Sequence, residues 1–157
     1  MQLSKDQREY WETYQKAIGQ DVSALFYEAF HFDDNKEDAN ALVQLVLAGT
    51  KRATAGLLWS HEAEQKPLPR PGVLSIVTNW NSEPLCIIET TKVAVVPFGS
   101  VSEEFAATEG EGDKTLEYWR KAHWSYFGRE CVRIGREPSL HMPVVCEQFR
   151  VVYPEVT

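Results

Sequence analysis

A mixed α+β domain is what the sequence predicts, and three observations predict it. Apolar and aromatic residues recur at helical spacing early in the chain, as in Tyr10, Trp11, Tyr14 and Ile18. Further on, apolar runs such as Val73–Thr78, Pro84–Val96 and Val144–Tyr153 are bounded by Pro, Gly and Asn, the punctuation of strands. Helices and strands do not alternate as regular βαβ units, so a doubly wound parallel sheet is not expected.

The first helix runs from Asp6 to Ile18, with Ser4 available as its N-cap and Gly19 at its end. A second is expected over Val22–Phe30, carrying Leu25, Phe26 and Phe30, and His31–Lys36 reads as a loop. That loop lacks the spaced oxygen ligands and the glycine of a calcium-binding hand. A third helix spans Glu37–Ala48, and Thr54–Ser60 is open between helix and strand. Pro67–Gly72 breaks regular structure and launches Val73–Thr78; Asn79–Glu83 is a turn around Trp80; Pro84–Val96 is a long strand. Ser100–Ala107 reads as a short helix with Val101 and Phe105 inward. A glycine-rich acidic stretch, Thr108–Asp113, precedes a helix over Lys114–Phe127 with Asp113 as N-cap. Arg129–Ile134 and Val144–Tyr153 are expected as strands.

At 157 residues the chain is expected to be one domain, with residues 1–36 as an N-terminal helical extension of a core over 37–157. No apolar run approaches the roughly 20 residues of a membrane span, and Met1–Glu9 lacks the apolar segment of a secretory signal. A cytoplasmic location is the expectation. Cys86, Cys131 and Cys146 are odd in number and far apart, which argues against a disulfide framework or a zinc knuckle. His31, His61, His123 and His141 lack ligand spacing, so no metal and no cofactor is expected. The formal net charge of -7 favours a small ligand over long nucleic acid, unless Lys51, Arg52, Arg129, Arg133 and Arg136 converge.

The chemistry gathers at Gly49–Trp59. Gly49 sits where a helix ending at Ala48 wants a left-handed cap, so the chain turns and brings Lys51 and Thr54 together. An amine kept neutral by burial can take a proton from a hydroxyl or a water, which then attacks an acyl carbon. The same residues also read as a helix end followed by basic groups that favour its dipole.

Gly49-Thr50-Lys51-Arg52-Ala53-Thr54 resembles the G-x-K-x-x-T signature of the ASCH family. Glu109–Asp113, the helix Leu116–His123 and the closing strand Pro143–Tyr153 also resemble the longer bacterial members. The likeness runs from the helix before Gly49 to the C-terminus. It implies a small PUA-like β-barrel surrounded by helices, and the hydrolysis of an N4-acylcytidine such as N4-acetylcytidine by a lysine, a threonine and a glutamate.

On that resemblance the catalytic residues are Lys51, Thr54 and Glu111, with Glu111 protonating the departing amine. Glu109 and Asp113 are rivals for its role or bind substrate, as does Arg52. Backbone amides of the Gly49 turn or the Gly110–Gly112 loop would hold the oxyanion. Trp59, Trp80 or Trp124 would stack on the base. The alternative is an RNA-binding module or a ribonuclease, in which Lys51 and Arg52 contact phosphate. The partners expected are thus a nucleoside, with RNA as the alternative, and no membrane.

Overall fold

The computed structural model describes residues 3–155. Five helices and five strands follow in the order α1 (Lys5–Ile18), β1 (Phe26–Phe30), α2 (Lys36–Leu47), β2 (Ala53–Leu57), α3 (Leu58–Ala63), β3 (Leu74–Thr78), β4 (Pro84–Pro97), α4 (Glu103–Glu109), α5 (Leu116–Ile134) and β5 (Pro143–Tyr153). The mixed α+β expectation holds.

The strands form one mixed sheet in the order β1-β3-β4-β5-β2. β1 lies parallel to β3 and every other pair is antiparallel. Among the described residues β1 and β2 do not pair, so the closed barrel implied by the resemblance is here an open sheet with two free edges. Two register shifts interrupt the pairing of β4 with β5: one leaves Val152 of β5 unpaired opposite Ile87 and Ile88, and the other leaves Thr91 of β4 unpaired between Thr90 and Lys92 and breaks the simple two-face alternation of the long strand.

Alternation along β3 and β4 gives the two helices at the start of the chain their places. Leu74, Ile76 and Ile87 pack with Trp11 and Tyr14 of α1 on one face. Val77, Cys86 and Ile88 pack with Val43 and Val46 of α2 on the other. A third cluster joins Ala53, Leu57, Val144 and Cys146 to Phe105, Trp119, Phe127 and Cys131 of α4 and α5. The three cysteines are free and buried.

Two elements differ from the sequence expectation, and each for a tertiary reason. Val22–Phe30 is not a helix: after a 3-10 turn at Ser23–Leu25 it becomes β1, whose aromatic residues gain a parallel partner in β3. The N-terminal extension is therefore α1 and that turn, since β1 belongs to the sheet. Arg129–Ile134 is not a strand but the last turns of α5. Trp119, His123, Phe127 and Cys131 keep one buried stripe at intervals of four, and Gly135 caps the helix in the left-handed region. Thr115 is the N-cap of α5, and Asp113 instead accepts from the Thr115 amide and hydroxyl. No described helix is long and apolar enough to cross a membrane.

Candidate active site

Two helix ends meet where the chemistry gathers. At the end of α2, Gly49 N–H donates to Val46 O and Thr50 N–H to Leu45 O, with Gly49 at φ 79°, the paired bonds of a Schellman cap. The next amide, that of Lys51, also donates to Leu45 O at 3.1 Å, which turns the chain sharply toward β2. α4 likewise ends at Gly110 with φ 71°. Its last turn is tied to the first by Arg52 N–H donating to Thr108 O at 2.9 Å. Gly110 lies so close to the Thr50 carbonyl that a side chain there would overlap it. Close approach of the two ends is what brings residues 58 positions apart into contact.

Lys51 is 1% exposed and Glu109 is 1% exposed. The Lys51 Nζ donates to Ala53 O at 2.7 Å, to Glu109 Oε1 at 2.8 Å and to Glu111 Oε2 at 2.9 Å. All three ammonium protons are thereby engaged. Glu109 Oε2 accepts from Trp119 Nε1 and faces His123 Nε2 at 3.0 Å. His123 Nδ1 lies 2.9 Å from the Trp119 carbonyl, so both ring nitrogens address acceptors and both must carry protons. His123 also stacks on the Trp119 ring at 4.1 Å.

The electrostatics follow from this geometry. Desolvation, the largest single influence on Lys51, pulls its pKa down, but Glu109 and Glu111 together reverse it and hold the ammonium charged. His123 behaves alike: burial disfavours its charge, and Glu109 restores it. Glu109 is lowered despite burial, because Lys51 and His123 flank it. Glu111 is raised, first by desolvation and then by Glu109, with Lys51 opposing. The neutral lysine expected from the sequence is thus corrected: its neighbours outweigh its burial. The group poised to exchange a proton is Glu111.

A cavity of about 270 Å³ opens beside this cluster. Tyr27, Glu28 and Phe30 of β1 line it on one side and Thr54, Ala55 and Gly56 of β2 on another, so both free edges of the sheet border it. The cavity occupies the seam where a barrel would have closed. Thr54 stands directly opposite Glu147 of β5, and both line the cavity. Arg52 O accepts from Phe149 N–H, so the alternation of antiparallel pairing turns the backbone of Ala53 and Ala55 toward the free edge. Ala53 O receives Lys51 there; Ala55 N–H faces the open edge.

Of the nine residues singled out in the sequence, Lys51, Thr54, Glu109 and Glu111 meet in this cavity. The others do not line it. Arg52 and Asp113 are exposed. Trp59 packs on the α4–α5 core beneath the Arg136 guanidinium, 4.6 Å away. Trp124 lies against Phe98 at 5.5 Å and is 41% exposed. Trp80 packs at a tilt, 4.8 Å between ring centres, against His31, which does line the cavity. Of the amides in the Gly49 turn and the Gly110–Gly112 loop expected to hold an oxyanion, those of Gly49 and Gly110 are consumed by the helix caps.

Sequence reasoning missed His123, Glu147, Glu28, Lys66 and His61. His123 had a signal, since it lies on the stripe of Trp119 and Phe127. Glu147 had one too: it shares a strand face with Val145 and Phe149 inside an apolar run. Glu109, Glu111 and His123 also converge as three donors whose ligand atoms lie within 4.8 Å of one another. Lys51 Nζ already bonds to two of them, so a cation there must displace the ammonium.

A family model described as the ASCH domain matches residues 28–153. Among solved structures, the chain is similar to an ASCH domain from Lactobacillus crispatus JV V101, with TM-score 0.89, 38% identity and 96% of each chain covered. It is also similar to protein EF3133 from Enterococcus faecalis V583, with TM-score 0.87, 34% identity, 94% of this chain and 88% of that one. The hypothetical protein PH0355 shares the fold at TM-score 0.52 and 15% identity, over 81% of this chain and 99% of that one. No curated protein matches by sequence. From Glu28 onward, then, with the capped turn at Gly49 and the acidic loop that meets it both inside the matched span, the chain belongs to the ASCH domain family.

Proposed function

We propose that the cavity is the active site of an amidohydrolase that removes the acyl group from an N4-acylated cytosine nucleoside. One observation carries the reading: Lys51, Thr54 and Glu111, expected from two distant loops, border the same small cavity. Its volume of about 270 Å³ lies just below the range of drug-sized ligand sites, which run roughly 300–1,000 Å³.

In this mechanism Glu111 is the acid and base. Its carboxylate, 15% exposed where Glu109 is closed off, takes the proton of the attacking group, either water or the Thr54 hydroxyl. The new bond to the acyl carbon leaves an oxyanion. Ala55 N–H, on the free edge, is placed to donate to it. As Glu111 becomes neutral its hold on Lys51 weakens, and the third ammonium proton turns to the developing charge. The tetrahedral intermediate then collapses, the C–N bond breaks, and Glu111 returns its proton to the cytosine amine. If Thr54 is the nucleophile, water repeats the cycle on the acyl ester. Glu109, enclosed by Lys51, His123 and Trp119, keeps Lys51 charged and fixed.

The RNA-binding and ribonuclease alternative is the weaker one on charge. Five carboxylates line the cavity (Glu28, Asp33, Glu109, Glu111, Glu147) against two lysines and the His123 imidazolium, an excess that repels phosphate, and Arg52 lies outside.

The test is incubation with N4-acetylcytidine, following cytidine and acetate. Wild type is expected to turn over, and Glu111→Gln to lower kcat by about 10²–10⁴-fold. Absence of cytidine from folded wild type ends the reading. A burst of cytidine lost in Thr54→Val marks the acyl-enzyme route.

A further inference from the structure

The cavity has a second polar end that the reaction does not use. Glu147 projects into it from β5, with its Oε2 accepting from Thr90 Oγ1 at 2.6 Å. Beside it Lys66 Nζ donates to Glu28 Oε1 at 2.5 Å, and Tyr27 Oη donates to Pro67 O, so the segment after α3 is strapped to β1. His61 lines the same cavity, and its buried Nδ1 has no hydrogen-bond partner. The charges that act on Glu147 are Glu28 and Lys66, and those that act on Lys51 are Glu109 and Glu111. One cavity therefore holds two sets of charges, which adjoin where Thr54 stands opposite Glu147.

An incompletely bonded carboxylate in a cavity, lined also by a histidine whose Nδ1 is unpartnered, asks for a ligand that donates and accepts. Leaving a buried polar atom unpaired is destabilising. A phosphate does not suit a place where two of three charged groups are acidic. A pair of neighbouring hydroxyls does, because each can donate to a carboxylate oxygen and accept from imidazole or ammonium, as carboxylates do with ribose.

We propose that Glu147, with the Glu28–Lys66 pair and His61, forms a recognition subsite for the neighbouring hydroxyls of a sugar, gripping the non-reacting end of the substrate while Glu111 acts on the acyl group. The inference rests on the amidohydrolase reading for the reacting end only. It makes Glu147 a positioning residue, whose loss is felt in binding and not in chemistry.

Two measurements test it. Calorimetric titration of wild type compares cytidine with 2′,3′-dideoxycytidine, and steady-state kinetics with N4-acetylcytidine compare wild type with Glu147→Gln. Cytidine is expected to bind about tenfold or more tightly than the dideoxy compound, the size of one charge-assisted hydrogen bond. Glu147→Gln is expected to raise KM by a similar factor, to leave kcat within about threefold, and to abolish the preference for hydroxyls. Equal binding of the two nucleosides by wild type, or a loss in kcat with KM unchanged, overturns the subsite. The wild-type comparison stands whether or not the variant folds. Hydroxyl-dependent cytidine binding without any turnover upholds the subsite and removes the hydrolase. Turnover without hydroxyl preference does the reverse, and failure of both binding and turnover removes both.

Discussion

The two ends of the cavity are built on opposite terms. At the Lys51 end every donor of the ammonium is used, Glu109 is enclosed by three partners, and the one carboxylate with access to the cavity is Glu111. At the Glu147 end, Thr90 supplies the one hydrogen bond to the carboxylate among the described residues, and His61 Nδ1 has none. At the first end Lys51 and Glu109 are fully paired without a ligand, and Glu111 alone keeps a free oxygen; at the second, neither Glu147 nor His61 is fully paired. A buried charge that is fully paired contributes order, and breaking it is costly. A half-satisfied group weakens the free protein and is what a ligand can complete.

The largest effect is expected from breaking the complete end. Lys51→Ala removes the cation that Glu109 and Glu111 share, leaving Glu109 buried with His123 as its remaining charged partner. A loss of about 3–5 kcal/mol is expected in urea unfolding, together with all hydrolysis. Pairing Lys51→Met with Glu109→Leu removes both charges and is expected to recover part of the stability but none of the activity. A loss below ~1 kcal/mol for Lys51→Ala would show that the cluster is not held as its geometry indicates.

Gly110→Ala sharpens the comparison by leaving every charge in place and moving only the loop. The substitution forces a side chain into φ 71° and against the Thr50 carbonyl. Roughly 2–4 kcal/mol of destabilisation is expected from the backbone strain and overlap combined, read by thermal melting. Because Glu109 and Glu111 flank this glycine, kcat should fall with it. Full kcat in a destabilised Gly110→Ala would mean that the close approach of the two helix ends serves stability alone.

How far the sequence foretold this is instructive by element. Gly49 marked the capped turn because a left-handed cap has a one-residue signature, and Lys51 with Thr54 followed from local spacing. Glu109 and Glu111 were placed in the site by resemblance, since nothing local fixes which of three neighbouring acids points inward. The charge on Lys51 was misread because burial is partly legible from sequence, whereas the close approach of two carboxylates, 58 and 60 residues away, to one amine is not. The same limit misassigned Val22–Phe30: its aromatic spacing suits a helix, and only pairing with β3 makes it a strand. The open seam was invisible for a like reason. Whether two edge strands meet depends on how far the whole sheet twists and curls, which no residue pattern announces.

The smallest effect runs the other way, and its sign is the test. Burial is the first cause that raises the Glu147 pKa above that of an ordinary carboxyl; Glu28 adds to it, and Thr90 and Lys66 oppose. The folded protein therefore holds the proton more tightly than the unfolded chain does. Stability from this group is full below the carboxyl's ordinary pKa of about 4.5 and is lost as pH rises through the raised folded value. Glu147→Gln keeps an acceptor for Thr90 and cannot ionise, so it escapes that loss. Near pH 7.5 the variant is expected to melt about 2–4 °C above wild type, the shift that ~1 kcal/mol produces in a chain of this length. At about pH 4.5 the difference should shrink toward zero. A variant less stable than wild type at both pH values would place Glu147 with Lys51, among groups whose bonding is already complete, and the contrast between the two ends would disappear.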